Sequence, residues 1–78
     1  MDDREWIDRF AAALGVEPPT SEEVDGLLAL AGVAAHASAR TAAPISCWVA
    51  ARAGVPVAEA RRVAASIAGE HDDAPGGA

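Results

Sequence analysis

Between Val24 and Ala37 the chain reads VDGLLALAGVAAHA, a stretch whose one charge is Asp25 and whose one other titratable group is His36. In a chain of 78 residues with formal net charge −6, so uncharged a segment is predicted to lie inside the fold. Val24, Leu27, Leu28, Ala31 and Ala35 share one helical face, and Leu30, Val33, Ala34 and Ala37 widen it to most of the circumference. A helix apolar nearly all round is packed on several sides, so this one is expected at the centre. Gly26 and Gly32 each cost about 1 kcal/mol relative to alanine in a helix. The expected compensation is close approach of a neighbouring helix.

The flanking segments carry helix signals of their own. Asp2 and Glu5 have N-terminal capping spacing, Ile7, Phe10 and Leu14 form a stripe flanked by Trp6 and Ala13, and Gly15 supplies a left-handed stop. Pro18 and Pro19 then make a rigid connector. Thr20 and Glu23 form a capping box before the central helix. Pro44 fits the first residue of a third helix, closed by Gly54, with Ile45, Trp48 and Val49 on one face, Arg52 at its far end and Cys47 beside it. Pro56 or Val57 opens a fourth, whose expected inward face is Ala60, Val63, Ala64 and Ile67.

These signals predict an all-α, compact orthogonal four-helix bundle, with helices at about 3–14, 21–38, 44–53 and 57–69. Residues 1–69 form the helical domain, and the polar, glycine-rich residues 70–78 are expected to be a disordered acidic tail. Alanine takes 21 of the 78 positions, and only eighteen apolar side chains of valine size or larger are available for a core. So thin a core must depend on close alanine contacts between helices, on a partner, or on self-association.

The same residues exclude several functions. No apolar run is long enough to cross a membrane, the acidic start is no signal peptide, and one cysteine permits no internal disulfide; together these predict a cytoplasmic protein. No His, Cys, Asp or Glu cluster has metal spacing, no phosphate loop is present, and neither Cys47 nor any serine has a histidine–acid pair. No catalytic residue, metal or cofactor is therefore assigned. An acyl-carrier role fails because Ser21, Ser38, Ser46 and Ser66 all lack the Asp-Ser-Leu setting.

Two constellations remain. His36, Arg40 and Thr41, next to the helix start at Pro44, could hold an anion or nucleotide on free backbone N–H groups; the structural alternative is that Arg40 neutralises the C-terminal carbonyls of the central helix. The run VAARAGVPVAEARRV, Val49 to Val63, has helix-turn-helix spacing, but Pro56, Val57, Ala58 and Glu59 provide no base-edge donor. Charge also argues against nucleic acid. Residues 1–25 carry eight acids and two arginines, whereas residues 26–58 carry no acid and only Arg40 and Arg52.

Trp6, the run Leu27 to Ala37 (LLALAGVAAHA), Arg40 and the run Ala42 to Ser46 (AAPIS) resemble a small actinobacterial domain family of uncharacterised function, found alone or appended to molybdenum-cofactor guanylyltransferase-like proteins. The resemblance spans about residues 4–68, with Ala35-His36, Arg40 and Ala43-Pro44 as its signature. This chain departs from it at Ala39, where an acid is frequent, and at Thr41, where proline is frequent; the aromatic position is kept at Trp48. The resemblance implies a non-catalytic accessory domain beside molybdopterin guanine dinucleotide synthesis, with a guanylyltransferase-like protein as partner. The expected contact surface is His36, Arg40, Thr41, Pro44 and Trp48.

Overall fold

A computed structural model of the chain describes residues 1–72, with side chains to Gly69. Four helices follow in order: α1, Asp3–Leu14; α2, Ser21–Ala37; α3, Ala42–Ala53; and α4, Val57–Asp72. No strand occurs among the described residues. The fold is the compact all-α arrangement that the residue pattern predicts, and α2 is its centre, with α3 and α4 both packed on it.

The helix ends follow from local chemistry. At α1, Asp2 Oδ1 accepts from the Glu5 N–H at 2.7 Å. Gly15 closes the helix at φ 76° and Gly54 closes α3 at φ 74°, left-handed positions that a Cβ would strain. At α2 the capping box is complete: the Glu23 N–H donates to Thr20 Oγ1 at 3.1 Å and the Thr20 N–H donates to Glu23 Oε1 at 2.8 Å.

Two boundaries differ from expectation. Helix α3 starts at Ala42, so Pro44 is its third residue and not its first. Proline fits there for the same reason, because none of the first residues needs an intrahelical N–H partner. The C-terminal helix continues through Asp72, past its expected end at 69, so residues 70–72 are helix and not tail. The remainder of the expected tail, 73–78, lies outside the described residues.

Packing departs further from the periodicity. Among the described residues, Ala11 and Leu30 are the buried apolar ones. Leu30, 3 % exposed, is the centre of α2, whereas Leu28 is 66 % exposed. Trp6, Phe10 and Trp48, the three bulkiest side chains, are all more than half exposed. On α4 the partly buried positions are Val57, Ala60, Ala64, Ala68 and Gly69, with Val63 and Ile67 displaced outward. Ala42, Ala43, Ser46, Cys47 and Ala50 are the partly buried positions of α3, and Ile45, Trp48 and Val49 are exposed. Small residues thus make the helix–helix contacts, which allows close approach but removes little apolar area from water. Gly26 shows the same effect: a Cβ there would lie 2.7 Å from Val57 Cγ1, so α4 begins directly against α2. Gly32 has nothing within 4 Å of the corresponding point, so no neighbouring helix approaches it as closely.

Helix α1 turns Arg4, Ile7 and Ala11 toward the rest of the chain, and the Arg4 guanidinium donates to the Pro19 carbonyl. Its other apolar side chains, Trp6, Phe10 and Leu14, face solvent.

Candidate functional site

Among the five expected contact residues, three lie on one surface. Thr41 precedes α3, and Pro44 and Trp48 follow at three and seven residues, so helical spacing sets them on a single outward side, and all three are exposed. Arg52, four residues beyond Trp48, continues this side. Its guanidinium carbon sits 5.1 Å from the Trp48 ring centroid, a cation–π contact that holds both groups in place at the surface.

His36 is placed elsewhere. Its Nδ1–H donates to the Gly32 carbonyl at 2.9 Å, one turn back on α2. It lines a hollow with Gly32 and Val33 of α2 and Ala65, Ala68 and Gly69 of α4, and no residue of α3 contributes to that hollow. Arg40 is exposed in the α2–α3 connection and makes no ion pair among the described residues. The Ala42 N–H donates to the Ala39 carbonyl at 2.8 Å and the Ala43 N–H to the Arg40 carbonyl at 3.1 Å. Pro44 has no N–H to offer. The start of α3 is therefore poor in the free donors that an anion would need.

The run Val49 to Val63 takes in the end of α3, the turn Gly54-Val55-Pro56 and the start of α4. Carboxylates gather beside the start of α4. Glu22, Glu23 and Asp25 of α2 border the same hollow as Pro56, Val57, Ala58 and Arg61. Glu59 is held by Arg62, with contacts of 3.0 and 2.6 Å from Nε and Nη2. That hydrogen bond, with the guanidinium charge behind it, lowers the Glu59 pKa and raises that of Arg62.

A second surface had no signal in the residue pattern, because its residues were expected to be core. A trough of about 440 Å³ lies between α3 and α4, floored by Leu30. Ile45 and Val49 form one wall and Ala60, Val63 and Ala64 the other; Glu59 is the one charged residue that lines it. Cys47 is half-buried on the opposite side of α3, its Sγ 4.0 Å from the Leu27 carbonyl. No group of three or more potential metal ligands occurs among the described residues, and none of their helices is long and apolar enough to cross a membrane.

A family model described as a domain of unknown function, DUF6457, matches residues 2–75. No curated protein and no solved structure matches the chain.

Proposed function

The chain belongs to the DUF6457 family, a domain of unknown function, and we propose that it is a non-catalytic interaction domain that binds a protein partner through the outward side of α3. The observation that carries this reading is Trp48, 59 % exposed and stacked under Arg52 on a helix whose inward side is made of small residues. Tryptophan and arginine are the residue types most enriched among energetic anchors of protein interfaces. A Trp–Arg pair held rigid before binding loses little side-chain entropy on association. Thr41 and Pro44 extend the surface along the helix, with Arg40 in the connection before it.

The partner that fits the resemblance is a molybdenum-cofactor guanylyltransferase-like protein, met in the cytoplasm, where Cys47 would stay reduced. The acid-free region from 26 to 58, with Arg40 and Arg52 as its cations, would suit an acidic partner surface. The three carboxylates beside the α4 start disfavour DNA, and the occupied N–H groups of Ala42 and Ala43 disfavour a free anion.

The test is direct binding of the purified chain to the guanylyltransferase-like protein of the same organism. Trp48→Ala is expected to weaken binding by about 2 kcal/mol or more, some thirtyfold. Arg40→Ala should lower the salt dependence more than the affinity. Absence of binding, or equal affinity of wild type and Trp48→Ala, would refute the assignment.

A further inference from the structure

Of the six arginines, four have carboxylates beside them. Arg4 pairs with Asp8, Arg9 with Glu5 and Arg62 with Glu59, and Arg61 shares a hollow with Glu22, Glu23 and Asp25. Arg40 and Arg52 are the other two. Both are exposed, neither makes an ion pair among the described residues, and no acid occurs from 26 to 58. We propose, resting on the reading of α3 given above, that its outward side receives an acidic segment of the protein partner. Two carboxylates of that segment accept from Arg40 and Arg52, and an apolar side chain between them packs on Trp48.

The hydrogen-bonding chemistry of this side asks for acceptors. A guanidinium and an indole N–H donate and cannot accept. Neither Arg52 nor Trp48 makes a side-chain hydrogen bond among the described residues. Along Arg40, Thr41, Pro44, Trp48 and Arg52, the Thr41 hydroxyl is the one side-chain group able to accept. A carboxylate meets a guanidinium with two parallel contacts, so Arg40 and Arg52 select it over a neutral group. Arg52 is not engaged by the end of its own helix either. The Gly54 N–H covers the Ala50 and Ala51 carbonyls at 3.2 and 3.1 Å, and the guanidinium lies back over Trp48. The cation is thus positioned before an acid arrives.

Spacing sets the second requirement. The turn that carries Arg40 runs into α3 through the Ala43 N–H bond to the Arg40 carbonyl, and Pro44, Trp48 and Arg52 follow at four-residue steps. The two arginines are therefore about 18 Å apart along the axis. A partner helix matches that interval with acids eleven residues apart, which return to one side after about three turns. A nucleic-acid strand is the anionic alternative, but a chain of net charge −6 repels a continuous polyanion.

Titration of the isotope-labelled full chain with two synthetic helical peptides, followed by NMR, tests this. One peptide carries two glutamates eleven residues apart with leucines between them on the same side; its twin has glutamine for both glutamates. The glutamate peptide is expected to move the Trp48 indole signal and to bind about fivefold more tightly than its twin at low salt. The difference should vanish by about 0.5 M salt, and in Arg40→Gln/Arg52→Gln the two peptides should bind alike. Both arginines are exposed, and retained helical circular dichroism shows that the double variant is folded. No binding of either peptide, equal affinity of the two for wild type, or a preference that survives the double variant overturns the proposal. So does tighter binding of an oligothymidylate, which would make the occupant nucleic acid. A Trp48 signal that moves on dilution of the chain alone would make it a second copy, and overturns the proposal too. Parallel titration with the guanylyltransferase-like protein separates this proposal from the function above. Binding that needs Trp48, with Kd and salt slope unchanged by the double variant, overturns the acidic occupant and leaves the interaction domain standing. A glutamate preference abolished by the double variant, without binding of that protein, supports the acidic occupant and removes the named partner.

Discussion

Gly26 of α2 lies under Val57 of α4 so closely that a Cβ would come within 2.7 Å of Val57 Cγ1. Val57 is β-branched and stiff at χ1, so it has little freedom to give way. Gly26→Ala should therefore lose more by overpacking, about 1–3 kcal/mol, than it gains from helix propensity, about 1 kcal/mol. Gly32, on the same helix with open space beside it, should respond with the opposite sign. Urea unfolding of both variants checks this: Gly26→Ala less stable than wild type, Gly32→Ala more stable by about 0.5–1 kcal/mol.

Leu30 is the one large side chain that is buried among the described residues. Leu30→Ala should cost about 2–5 kcal/mol, which for so small a domain approaches the whole stability margin. Ile45→Ala, on an exposed position of the same trough, should fall within about 0.5 kcal/mol of wild type, provided it is compared at a concentration where both are monomeric. Thermal unfolding followed by circular dichroism distinguishes them. Similar losses at both positions would mean that the trough is filled in the single chain.

The Thr20–Glu23 capping box makes both of its hydrogen bonds. Thr20→Ala should destabilise the chain by about 1 kcal/mol, and Thr20→Ser should restore most of that. The denaturation midpoints of the three proteins measure the difference.

Glu59 owes its lowered pKa first to the hydrogen bond from Arg62 and then to that residue's charge. A carboxylate depressed in the folded state contributes stability above its unfolded pKa and loses it as pH falls through the folded one. Because both side chains are exposed to solvent, screening keeps that contribution small. Arg62→Ala should therefore return the Glu59 titration, followed by carboxyl NMR shifts, to the ordinary carboxylate range while leaving the unfolding midpoint at pH 7 nearly unchanged.

The start of α1 and of α2, and the ends at Gly15 and Gly54, were legible in the residues because caps and left-handed stops are local chemistry. The start of α3 was not. Ala42 and Ala43 carry no boundary signal, and proline is tolerated throughout a first helical turn, so Pro44 marked the helix without marking its first residue. The faces misled for a physical reason. Periodicity assigns the inside to the largest apolar groups, which holds when a chain must bury its own core. In α3 and α4 the inward positions are mostly small residues, and Ile45, Trp48, Val49, Val63 and Ile67 lie outside. Trp48 joins Thr41 and Pro44 through the resemblance, since periodicity groups it with Ile45 and Val49. The place of His36 was not legible, because sequence proximity to Arg40 says nothing of the side of α2 from which it projects.

The claim on which the functional account depends is that Trp48 is left at the surface to be covered by a partner. A Trp6→Phe variant makes Trp48 the sole tryptophan, so its fluorescence reports that position alone. In the isolated chain the emission should be that of a water-exposed indole, readily quenched by acrylamide. Titration with the guanylyltransferase-like partner should shift it to the blue and protect it from the quencher. Binding that leaves both emission and quenching unchanged, or a Trp48 already shielded in the monomer, would contradict the account.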